Sequence, residues 1–207
     1  MESIHWLHHA SFRIEAAGKV IYIDPWKVKK MVKADYILIT HEHYDHLSPD
    51  DIRQIAGGNT VIIYSANCTA EITAGKITKL KPGLKYSDES LKIEALPAYN
   101  INKSFHDKSG PKNGYIIEIG GVRFYHAGDT DATPEMLALK NIDAAMLPVG
   151  GTYTMNAKEA AAAVNVFMPE IAIPMHWGTI VGSIKDAEEF KRLAVCKVEI
   201  LKEEEPV

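Results

Sequence analysis

Cysteine is scarce in this 207-residue chain. Cys68 and Cys196 are too few for a disulfide framework, and each reads as a small buried hydrophobe. Basic charge is not in excess either. The 23 Lys and Arg stand against 27 Asp and Glu, a formal net charge of -4. That balance argues against the basic face that nucleic-acid binding needs, and for a small-molecule substrate. Apolar runs are short or broken by charge, so none is expected to span a bilayer. No basic start followed by an apolar stretch marks an export signal, and a cytoplasmic location is the expectation. No linker, repeat or low-complexity tract divides the chain, which predicts one metallo-hydrolase domain over 1–207. The acidic end, Glu203-Glu204-Glu205, reads as a solvated tail.

What the chain does have is nine histidines set among clear structural signals. Residues 3–7, 12–16 and 19–23 are short β-rich runs, and Gly18 turns the last two into a hairpin. Residues 36–40 are a continuous apolar run, the pattern of a strand covered on both faces. Ser48-Pro49-Asp50-Asp51 predicts a helix start with Ser48 as N-cap, and Gly57-Gly58 its end. Further strands are expected at 60–64, within 76–97, at 115–119 and 122–126 as a hairpin, and at 143–149, 171–175 and 197–201. Helices are expected after Thr133, from Asn156 (with Glu159 completing a capping box) to Pro169, and over 186–194. Many strands, with most helices late, predict two packed sheets with helices outside: an α/β, four-layer αββα sandwich.

Three histidines and one aspartate fall within His41-Glu42-His43-Tyr44-Asp45-His46, directly after a buried strand. Alternation along an extended segment groups His41, His43 and Asp45, and the turn into the next helix can bring His46 round. Imidazole nitrogen and carboxylate oxygen suit borderline divalent cations such as Zn²⁺. Four such groups exceed what a structural site needs from one loop. They predict a pair of adjacent ions, a device for activating water. A polar, solvent-facing turn is the plain alternative. A zincin helix fits poorly, since it requires His-Glu-x-x-His and position 45 is aspartate.

The segment resembles the His-x-His-x-Asp-His signature of the metallo-β-lactamase superfamily. The likeness extends along the chain. Trp6-Leu7-His8-His9-Ala10-Ser11-Phe12 and Ile23-Asp24-Pro25-Trp26 resemble the branch of ascorbate-6-phosphate lactonase-like enzymes and uncharacterised metal-dependent hydrolases. So do His126-Ala127-Gly128-Asp129-Thr130 and Ile173-Pro174-Met175-His176-Trp177-Gly178. The resemblance implies the αββα fold. It also implies that His41 and His43 hold one ion, that Asp45, His46 and His176 hold a second, and that Asp129 bridges them. Zinc is the expected metal, one or two ions, with Mn, Fe or Ni as alternatives.

One position departs from the superfamily pattern. Leu96-Pro97-Ala98-Tyr99-Asn100 carries asparagine where many relatives have the third histidine of the first ion. Asn100 through its carbonyl oxygen, or His106 reaching in from the following loop, is the candidate substitute. Asp24 is expected to orient a ligand histidine, and His9 to lie near the site. His126 reads as packed at its strand end. In the expected reaction, metal-activated hydroxide attacks a carbonyl carbon or phosphorus, with Asp45 orienting it and His106 able to assist the leaving group. Lys103, Lys108 and Lys112 would suit an anionic substrate, and ester, lactone, phosphodiester and amide bonds stay open. Rival readings are a nuclease of the same superfamily, a diiron protein, and a non-catalytic metal-binding protein.

Overall fold

In a computed structural model, residues 3–30, 32–69, 72 and 74–205 are described. Six strands form one sheet in sequence order: β1 (Ser3–His8), β2 (Ser11–Ala16), β3 (Lys19–Ile23), β4 (Tyr36–Ile39), β5 (Val61–Ser65) and β6 (Lys76–Leu80). Seven form the other, again in order: β7 (Lys85–Ser87), β8 (Leu91–Pro97), β9 (Asn113–Ile119), β10 (Val122–His126), β11 (Ala144–Pro148), β12 (Ile171–Met175) and β13 (Lys197–Val198). Each sheet begins as an antiparallel meander and ends as a parallel array.

Parallel neighbours need crossovers, and the helices supply most of them. Helix α1 (Pro49–Ile55) joins β4 to β5, the single turn α2 (Pro134–Leu137) lies between β10 and β11, and α3 (Ala157–Phe167) and α4 (Ile184–Leu193) flank β12. The strand period of two then sorts the side chains. On β4, Tyr36 and Leu38 join Phe12, Ile14, Ile93 and Ile117 in the core between the sheets, whereas Ile37 and Ile39 pack against Ile52 and Ile55 of α1. Helix α3 lays Ala160, Ala161, Val164 and Phe167 on the second sheet. The result is the expected αββα sandwich.

Local signals account for most boundaries. Ser48 accepts from the Asp51 N–H, Thr133 from the Met136 N–H, and Asn156 with Glu159 forms the full capping box. The tight β9–β10 turn uses Gly120 and Gly121, both at positive φ. Helix α4 starts two residues before its expected position, because Ser183 and Asp186 form a capping box of their own. The expected strand at 197–201 shrinks to the two residues of β13 on the sheet edge.

The acidic end is not a free tail. Arg13, 1% exposed, donates from Nη1 and Nη2 to the two Glu204 oxygens at 2.8 and 2.6 Å, and from Nε to Glu15 at 3.0 Å. The Glu204 N–H donates to the Trp6 carbonyl, and Lys29 Nζ lies 2.6 Å from Glu203. A buried guanidinium requires a planar carboxylate partner, and the chain end provides it. Among the described residues no helix is long and apolar enough to cross a membrane.

Candidate metal centre

The candidate residues gather where strands stop. His9 follows β1, Asp24 follows β3, residues 40–46 follow β4, Asp129 lies just beyond β10, and His176 follows β12. Three of these positions have left-handed backbone, with φ of 50° at His9, 47° at Asp24 and 59° at His176. Non-glycine residues seldom accept that conformation, and such strain concentrates at functional sites. Two glycines let the segments close in. A Cβ on Gly128 would lie 2.6 Å from the Asn113 carbonyl oxygen, and one on Gly150 would lie 2.2 Å from the His176 carbonyl oxygen.

Two groups of potential ligand atoms result. His41, His43, His106 and Asp129 form one, and His9, Asp45, His46 and His176 the other, with the ligand atoms of each group within 4.8 Å of one another. Asp129 stands between them. Its Oδ2 lies 3.3 Å from His106 Nε2 and 3.2 Å from His176 Nε2, and its Oδ1 lies 3.3 Å from His46 Nε2. Asp45 Oδ2 is 3.2 Å from His9 Nε2.

Supporting side chains aim the rings. Asp24, fully buried, accepts from the Thr40 N–H, from the Thr40 hydroxyl at 2.6 Å and from His46 Nδ1 at 2.7 Å. With its proton given to Asp24, Thr40 Oγ1 accepts from His41 Nδ1 at 2.9 Å. His106 Nδ1 faces two oxygens at 3.2 Å, Asn100 Oδ1 and the Tyr153 carbonyl. These acceptors put the proton of all three rings on Nδ1 and leave the Nε2 lone pair facing the centre.

The centre fits cations rather than a closed hydrogen-bond network. Both ring nitrogens of His9, the Nε2 atoms of His41, His46 and His106, and Asp129 Oδ1 are buried without a hydrogen-bond partner. Each such orphan costs about 1–3 kcal/mol unless something satisfies it. Divalent cations would satisfy all of these but one nitrogen of His9, since each ring offers a metal one lone pair.

Electrostatics favour the ligand forms. Burial drives His41 well below the ordinary histidine range, helped by neighbouring His46. Burial likewise lowers His9 to about 4, against the pull of Asp45. Asp45 falls to about 2 because His9 and His46 outweigh its burial. Asp129 is held well below the carboxylate range by His176 and His46, although burial opposes this. His46 alone is pushed well above its usual value: burial is overcome by Asp129 and Asp24, which hold positive charge there as a proton or a cation.

The predicted residues therefore meet in one place, with differences in detail. His9, expected near the site, is itself a member of the second group of potential ligands. No spacing rule marks it, because it comes from a turn more than thirty residues before the histidine-rich loop. Asn100 turns its amide to the loop beside it. Its Oδ1 accepts from the His106 N–H at 2.9 Å and its Nδ2 donates to the Tyr153 carbonyl, so it shapes the loop that carries His106. His126 sits apart, with Nε2 2.9 Å from the Ala10 carbonyl oxygen and Nδ1 accepting from the Gly128 N–H.

Comparison with known proteins shows the family. A family model described as the Beta-lactamase superfamily domain matches residues 3–176. A UPF0173 metal-dependent hydrolase of Thermococcus onnurineus is 37% identical, covering 97% of this chain and 96% of that protein. The chain belongs to that superfamily, among its UPF0173 metal-dependent hydrolases. Two solved structures share its shape. A candidate metal-dependent hydrolase from Parabacteroides distasonis superposes with a TM-score of 0.86 at 36% identity, covering 98% of this chain and 94% of that one. Igni18, a metallo hydrolase from Ignicoccus hospitalis, has a TM-score of 0.81 at 27% identity, covering 100% and 97%.

A cavity of about 530 Å³ opens onto the centre of this hydrolase. His43, Asp45, His106, Asp129 and His176 form its floor, and Tyr44, Phe105, Tyr153 and Ile180 line it with apolar surface.

Proposed function

We propose that this hydrolase holds two divalent cations, zinc by the chemistry of its donors, and cleaves a small ester, lactone or phosphodiester with water. His41, His43 and His106 would bind one ion, His9, Asp45, His46 and His176 the other, and Asp129 would bridge them. The observation that carries this reading is the pair of adjacent four-residue groups lining one cavity, with the buried Asp129 of the first group also within 3.3 Å of His46 and 3.2 Å of His176 in the second. Cations held there supply an acidified water as nucleophile and positive charge for the developing oxyanion.

The chain does the rest. Asp24, Thr40 and Asn100 fix the rings so that the Nε2 lone pairs converge before any ligand arrives. Preorganisation of that kind is what makes charge stabilisation cheap at the moment of reaction. Asp45, lining the cavity, is placed to hold the water and to take its proton at a carboxylate oxygen. His106 offers an unprotonated Nε2, which favours ligation over proton donation to the leaving group.

Elemental analysis of the purified protein, with turnover of generic ester, lactone and phosphodiester substrates before and after chelation, tests the reading. Two ions per chain and activity restored by metal are expected. Metal-replete protein inert towards all three classes would favour a binding role instead.

A further inference from the structure

We infer that the part of the substrate remote from the scissile bond is uncharged and aromatic or bulky apolar; this deepens the proposed function and rests on it. The walls above the ligand atoms carry the argument. Phe105 and Tyr153, both in the lining, meet edge to face at 4.7 Å between ring centroids, and Tyr44, also in the lining, meets Trp26 behind it the same way at 5.9 Å. Ile180 completes the lining. Tyr44 is 67% exposed and Phe105 48% exposed, a large apolar area to leave in water beside a polar centre. A ring bound in the cavity would cover part of that area, and aromatic faces and edges favour another ring.

Charge points the same way. Among the described residues neither lysine nor arginine lines the cavity, and the one charged side chain there beyond the proposed ligand set is the acidic Glu42. The lysines of the 100–113 loop are engaged elsewhere. Lys103 binds Asp131 at 2.7 Å and Glu159 at 3.4 Å, Lys108 lies over the Tyr99 ring, and Lys112 is buried with Nζ against Gly110. A second anionic group on the substrate would leave water to face aromatic rings and a carboxylate, with no cation from the protein walls. That arrangement repels rather than recruits such a group.

Binding of hydroxamates to zinc-loaded protein, followed by calorimetry, isolates this property from turnover, because the head group is constant and only the tail varies. 3-Phenylpropionohydroxamate should bind on the order of tenfold tighter than acetohydroxamate, and succinohydroxamate, with its carboxylate tail, no tighter than acetohydroxamate. In Phe105→Ala the phenyl advantage should shrink several-fold with the zinc content per chain retained, and Phe105→Leu should keep part of it. A carboxylate tail that binds as well as the phenyl tail, or a phenyl advantage untouched by Phe105→Ala, would overturn the inference while leaving the metal reading intact. Failure of acetohydroxamate itself to bind would overturn the metal reading and this inference with it.

Discussion

Asn100 Oδ1 accepts the backbone N–H of His106 at 2.9 Å and lies 3.2 Å from the same residue's Nδ1. One amide oxygen thus sets both the path of the loop and the direction of its imidazole. Groups behind a ligand typically tune metal affinity about 10–100-fold. Asn100→Ala should therefore weaken the first site by a factor in that range, and Asn100→Asp, which keeps the acceptor, by less. Competitive zinc titration against a chromophoric chelator reads the difference; equal affinities in the two variants would remove Asn100 from this role.

Asp129 touches both groups and Asp45 faces the cavity. Replacing either with alanine should lower turnover on the order of a thousandfold, the scale of several kcal/mol of lost charge stabilisation. Asp129→Ala should also reduce bound metal below two ions per chain. Far-ultraviolet circular dichroism should stay native in both, since the sheets do not depend on these side chains.

Acid should destabilise the chelated protein in a defined window. His9 charges near 6.5 when unfolded but only near 4 when folded, so between those values the unfolded chain binds more protons and stability falls as pH falls. His41, lowered by burial, acts in the same direction. His46 is raised, so its contribution is complete below 6.5 and is lost only as pH climbs above that value. Melting temperatures of EDTA-treated protein should drop from pH 6.5 to pH 4, and His9→Gln should flatten the slope.

The clamp on the chain end is a separate test of stability. Arg13→Ala would strand Glu204, which a two-pronged interaction now holds, and should cost about 2 kcal/mol or more in urea unfolding. Arg13→Lys should recover little of it, because an ammonium cannot bind both oxygens in parallel.

The sandwich and the heart of the site were legible in the sequence because both rest on local rules. Apolar runs marked the strands, Ser48, Thr133 and Asn156 marked the helix starts, and His41 to His46 brought several ligand types into six consecutive residues. What escaped depends on contacts between distant segments. His9 is aimed by a left-handed turn, Asn100 by a loop that folds back on it, and Glu204 by a buried guanidinium 191 residues away. Nor does the sequence show that Lys103 pairs with Asp131 and Glu159 or that Lys108 lies over Tyr99, contacts that depend on how the 100–113 loop folds.

The candidate ligand atoms are drawn from both sheets: His9 and residues 41–46 from the first, His106, Asp129 and His176 from the second. A bound ion would then act as a rivet through the sandwich, and loading it would tighten the protein against heat as well as arming it. At a free concentration a thousand times its dissociation constant, such a rivet adds about 4 kcal/mol to the folded state. Scarcity of metal in the surroundings would consequently lower the amount of intact protein along with the activity of each molecule.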